Sequence, residues 1–144
     1  MGTDIMGWAE VQTPELGRWF GVVYVRSLVE RNYSLFGCLF GYRQQCDAEP
    51  LAPNRGIPDS MSREVRRDLE RVIPGATWVS WSELADVVTS GTSSDRDGQS
   101  EHEALRQTIG ESMTPGWNTL FQFMRILAER YGPDQVRLVV WFDS

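Results

Sequence analysis

The chain has 144 residues, 41% of them hydrophobic, with six tryptophans, which is enough apolar material for a single ordinary domain over residues 1–144. Its 14 basic residues are all arginine and stand against 20 acidic ones, a net charge of −6. That balance argues against sequence-independent binding to duplex nucleic acid, and the missing lysine removes lysine-nucleophile chemistry.

Residues 3–12 and 18–26 read as two strands of an antiparallel hairpin closed through Thr13, Pro14, Glu15, Leu16 and Gly17. In the second strand Trp19, Val23 and Val25 share one face and Phe20, Val22 and Tyr24 the other. Both faces are apolar, so this strand is expected inside the sheet. Asn32 is positioned to cap a helix carrying Tyr33, Leu35, Phe36, Leu39 and Phe40 as its apolar surface. Residues 43–58 contain three prolines and read as irregular chain, ending in the bend of Arg55, Gly56 and Pro58.

A helix is then expected from Asp59 or Ser60 as N-cap, with Met61, Val65, Leu69, Val72 and Ile73 on one face and Pro74 and Gly75 as its stop. Ser80 and Glu83 form a capping box, and Val79 with Leu84 a hydrophobic staple, for a short helix over 81–88. The stretch 89–100 has no apolar residue and reads as a mobile loop. Ser100 and Glu103 repeat the capping box ahead of Leu105 and Ile109. The longest helix runs from Pro115 to about Tyr131, with Thr114 as N-cap and Gly132 and Pro133 as its stop. Alternation over 136–142 predicts a last strand. The expectation is an α+β fold: a small sheet containing antiparallel strands, made of the N-terminal hairpin and the C-terminal strand, under four to five helices.

Cys38 and Cys46 lack metal-ligand spacing and are expected as reduced thiols, with no metal or other cofactor. No signal peptide or membrane span is legible, so a cytoplasmic location is expected, that of the host cell if the chain is phage-encoded. Asp4, Glu10, Asp59 and Asp143 are candidate acids, best paired structurally with Arg31, Arg55 or Arg137. His102, the single histidine, reads as a surface residue. Arg55 in its bend is equally suited to grip a phosphate or carboxylate and to pin its loop to Asp59 or Asp143. Most of the six tryptophans belong in the core, but an indole beside an arginine fork is also the minimal kit for holding a nucleotide.

Several separated segments also match a pattern. Met1, Gly2, Asp4 and Ile5; Arg31, Asn32, Tyr33, Leu35 and Phe36; Arg55, Gly56 and Pro58; Trp78, Glu83 and Leu84; and Val136, Arg137, Val139, Trp141, Phe142 and Asp143 resemble, in order, a family of small phage and bacterial proteins of largely unassigned function. That family begins MG-C-D-I-H, whereas Thr3 and Met6 stand here in place of its Cys and His. The resemblance implies a member that keeps a charged and aromatic framework without nucleophile or base, hence a binder with no catalytic residue.

The function expected is a phage-type accessory protein that binds a small anionic, nucleotide-derived ligand through Arg31, Asn32, Tyr33, Arg55, Asp4, Trp8 and Asp143, sequestering a host defence signal. The alternatives are a divalent-metal hydrolase using Asp4, Asp59 or Asp143 with His102, and an inhibitor that docks on a host protein through an exposed aromatic patch. The aromatic load is compatible with a homodimer under each of these.

Overall fold

A computed structural model describes residues 2–15, 17–43, 46, 48–69, 75–88 and 99–143, without the side chains of 99–101. Its frame is a four-stranded antiparallel sheet of β1 (Asp4–Gln12), β2 (Trp19–Tyr24), β3 (Thr77–Ser80) and β4 (Val136–Asp143), in the spatial order β2-β1-β4-β3. Five helices are described: α1 (Tyr33–Phe40), α2 (Arg63–Asp68), α3 (Trp81–Val88), α4 (Gln99–Ser112) and α5 (Pro115–Tyr131). The architecture is α+β, as the sequence predicts.

Alternation along the strands divides the sheet into two faces. Ile5, Ala9 and Val11 of β1 and Leu138, Val140 and Phe142 of β4 face the main core, closed over by Leu35, Phe36 and Leu39 of α1, Leu84 of α3, Leu105 and Ile109 of α4, and Trp117, Leu120 and Met124 of α5. The opposite face carries Met6, Trp8, Trp78, Val139 and Trp141. It is covered more thinly, by Val65 of α2 with Ile57, Met61, Leu69 and Ala76.

β2 is an edge strand, contrary to the expectation that its two apolar faces would put it inside the sheet. The central positions go to β1 and to the almost wholly buried β4, which pair along eight residues from Asp4–Asp143 to Val11–Val136. The fourth strand, β3, escapes sequence detection because it is only four residues long and runs directly into α3.

α3 and α5 occupy the predicted spans. The capping box at α3 forms as expected, with Glu83 N–H donating to Ser80 Oγ at 3.2 Å and Ser80 N–H donating to Glu83 Oε1 at 3.1 Å. α2 begins later than expected. Its N-cap is Ser62, whose hydroxyl accepts from Val65 N–H, and it stops at Leu69 in extended conformation. The contacts there run to the sheet: the Ser60 carbonyl, which would accept the first intrahelical bond of a helix capped at Ser60, accepts from Arg137 Nη2 instead, and Glu10 holds the Ser62 N–H. Val72, Ile73, Pro74, Leu16 and positions 89–98 lie outside the described residues. So does the Ser100 side chain, although Ser100 itself falls within α4.

Cys38 and Cys46 form a disulfide, which corrects the expectation of reduced thiols. Gly41, left-handed at φ 65°, ends α1 and turns the chain back, bringing the two Cα atoms to 5.0 Å. No helix among the described residues is long and apolar enough to cross a membrane.

Candidate functional site

The residues expected to hold a ligand lie in three places. At one end of the sheet, Asp4 opens β1 opposite Asp143, the exposed last residue of β4. Asp4 accepts from Arg31 Nε at 2.8 Å and from Arg26 Nη2 at 3.3 Å. The Arg31 hydrogen bond, with help from Arg26, holds the Asp4 carboxyl below its usual range. Tyr33 lies against this corner: its hydroxyl accepts from Thr3 N–H at 3.0 Å, and the Arg43 guanidinium lies over its ring. Asn32 is nearly buried and its amide is fully engaged. Its Oδ1 accepts from Leu35 N–H at 3.1 Å, while Nδ2 donates to the Ser112 carbonyl at 2.8 Å and to Thr114 Oγ1 at 3.2 Å.

Arg55 lies elsewhere, joined to neither Asp59 nor Asp143. It forks onto Glu83, Nη1 to Oε1 at 2.9 Å and Nη2 to Oε2 at 2.8 Å, while its guanidinium lies over Trp78. This fork holds Glu83 below the usual glutamate range. Trp8 sits in the middle of the thinly covered face and donates its indole N–H to Asp68 Oδ2 at 2.8 Å. Burial pushes Asp68 up, but the bonds from Trp8 and Arg67 leave it below its ordinary value.

Along β4, Arg137 and Asp143 are six positions apart, about 20 Å at ~3.3 Å per residue. The corner at Asp143 and the surroundings of Arg137 are therefore separate sites for a ligand of mononucleotide size. The acids named for metal chemistry are likewise dispersed. Asp4 and Asp143 face each other, Asp59 lies in the turn ahead of α2 and His102 is on α4. Among the described residues no group of three or more His, Cys, Asp or Glu gathers as a metal ion would require.

A different arrangement is built around Arg137. Its Nε donates to Glu10 Oε1 at 2.6 Å and its Nη2 to the Ser60 carbonyl at 3.0 Å, and the guanidinium stacks 3.7 Å from the centre of the Trp19 ring. Glu10 is completely buried, and its second oxygen accepts from Ser62 N–H at 2.7 Å. Burial pulls Arg137 below its usual value while Glu10 pulls the other way. Two cavities share Trp19 as part of their walls. One, of about 390 Å³, is lined by Trp19, Trp78, Ser80, Glu83, Asp134 and Arg137. The other, of about 570 Å³, is lined by Trp19, Ser60, Arg18, Arg63, Arg66 and Glu64, with the Arg18 guanidinium over the Phe20 ring. Both volumes fall in the roughly 300–1,000 Å³ range of small-molecule sites.

Arg18, Arg63 and Arg66 have no carboxylate partner among the described residues. Glu64, the acid in that cavity, spends Oε1 on the N–H of Gly21 at 2.9 Å. Glu10 and Arg137 are legible in the sequence as ionisable groups and Trp19 and Trp78 as aromatics, but their convergence is not. The available signal is one interior charge in each of two largely apolar strands, whose other charges, Asp4 and Asp143, stand at the strand ends. No family model, curated protein or solved structure matches the chain.

Proposed function

We propose that the chain is a binding protein for a small anionic, nucleotide-derived ligand, held at the paired cavities around Trp19. One observation carries this reading: three arginines without carboxylate partners among the described residues, Arg18, Arg63 and Arg66, surround one cavity in a chain whose net charge is −6. A guanidinium fork matches a phosphate bidentately, and the adjoining cavity offers indoles for a base. Binding without turnover is supported by the fate of the candidate acids, since Glu10 is consumed by Arg137, and Asp4 by Arg31 and Arg26. Membership of the small phage and bacterial family, sequestration of a defence signal and residence in the host cytoplasm belong to the same proposal.

The test is a thermal-shift and native-mass panel of nucleotides against the wild-type chain and the Arg63→Ala/Arg66→Ala variant. The proposal expects a ligand that raises the melting temperature, is released intact and is lost with the two arginines. Saturating nucleotides that neither shift the melting temperature nor add mass would sink it.

A further inference from the structure

We infer that the cavity between Trp19 and Trp78 selects a purine of guanine type over adenine, an inference that rests on the nucleotide-binding reading above. The polar groups there divide into settled and open ones. Glu83 is largely engaged: Oε1 accepts from Arg55 and from the Ser80 N–H and hydroxyl, and Oε2 accepts from Arg55. Ser80 Oγ in turn accepts from Glu83 N–H. Arg137 has given Nε to Glu10 and one Nη2 hydrogen to Ser60, leaving Nη1 as the nitrogen without a partner among the described residues. Asp134, exposed in the 3-10 turn Pro133–Gln135 just ahead of β4, keeps a carboxylate with no partner among the described residues.

Charge follows the same division. Arg137 is neutralised by Glu10 and Arg55 by Glu83, so the formal charge left over is the single negative one on Asp134. A phosphate is therefore disfavoured in this cavity and belongs in the neighbouring one that shares Trp19, among Arg18, Arg63 and Arg66. What fits here is a neutral planar group with an acceptor edge for a guanidinium and a donor edge for a carboxylate. Guanine presents O6 and N7 as acceptors and N1–H with its 2-amino group as adjacent donors, a match to Arg137 Nη1 and Asp134. Adenine sets the lone pair of N1 where guanine has a donor, so a carboxylate there meets repulsion.

GMP, AMP and inorganic phosphate titrated into the wild-type chain, followed by tryptophan fluorescence, test this. The expected result is GMP binding at least about tenfold tighter than AMP, the discrimination that one good bidentate pair supplies. Asp134→Asn brings the two affinities together, and Arg63→Ala/Arg66→Ala weakens both while keeping their ratio. Equal, saturable binding of GMP and AMP overturns the guanine selection and leaves the binding reading standing. Failure of all three probes to bind overturns both.

Discussion

Glu10 and Arg137 form a 2.6 Å ion pair across the two central strands, with the glutamate wholly cut off from solvent. Desolvating two charges is costly, and the geometry offsets that cost only while every remaining polar atom is satisfied. Here the Ser62 N–H and the Ser60 carbonyl complete the set, so the pair also fixes how the segment before α2 lies on the sheet. Removing one partner with Glu10→Ala should cost about 3–5 kcal/mol in urea unfolding, because a buried guanidinium is left uncompensated. Glu10→Leu with Arg137→Met should recover most of that stability. A single variant within 1 kcal/mol of wild type would count against the pair as an organiser of this face.

The Cys38–Cys46 bond closes a short loop, with a sequence separation of 8. The chain-entropy relation assigns such a loop about 2–3 kcal/mol. Chemical unfolding with and without reductant should differ by that amount, and Cys38→Ser/Cys46→Ser should match the reduced protein. Thiol counting on freshly lysed cells then bears on compartment, since disulfides persist mainly where the surroundings are oxidising.

Acid should loosen the contact between the 50s loop and α3. The folded-state pKa of Glu83 is depressed by its bond to Arg55, so its contribution is present above the unfolded-state value and is lost as pH falls through the folded one. The stability gap between wild type and Glu83→Gln is expected to be widest near neutrality and to close below the ordinary glutamate range. A gap independent of pH would mean that Glu83 acts through packing alone.

Gly7 of β1 leaves no room for a side chain. Its φ is 147°, and a Cβ there would run into the Val139 carbonyl oxygen and lie 2.9 Å from Val140 Cα. Gly7→Ala should cost roughly 2–3 kcal/mol by combining backbone strain with a clash against the neighbouring strand. Gly17→Ala meets no atom within 4 Å and bears only the strain of its φ of 65°, so it is expected to be the milder change.

Legibility in the sequence tracks how local the determining physics is. The capping box at Ser80 and Glu83, the Asn32 cap and the stop at Gly132 are decided within a few residues, and each of these signals is met at a helix end of the structure. The edge position of β2, the late start of α2 and the pairing of Glu10 with Arg137 depend on partners dozens of residues away. Glu10 and Arg137 themselves are 127 positions apart. For the same reason the expected ligand residues, adjacent in motif order, are scattered in space. Arg31 and Asp4 found each other, while Arg55 was taken by Glu83.

The Asn32 side chain binds the start of its own helix, the last carbonyl of α4 and the hydroxyl that precedes α5. Glu30 adds a second tie, accepting from Gly116 N–H and Thr114 Oγ1. Three helices therefore share one knot of hydrogen bonds, so fraying at that junction exposes all of them together. The layer should open as a single cooperative unit in hydrogen exchange, with the core amides of α1 and α5 reporting one common opening free energy. In Asn32→Asp a carboxylate would face the Ser112 carbonyl in place of a donor, and that shared protection should fall in all three helices at once.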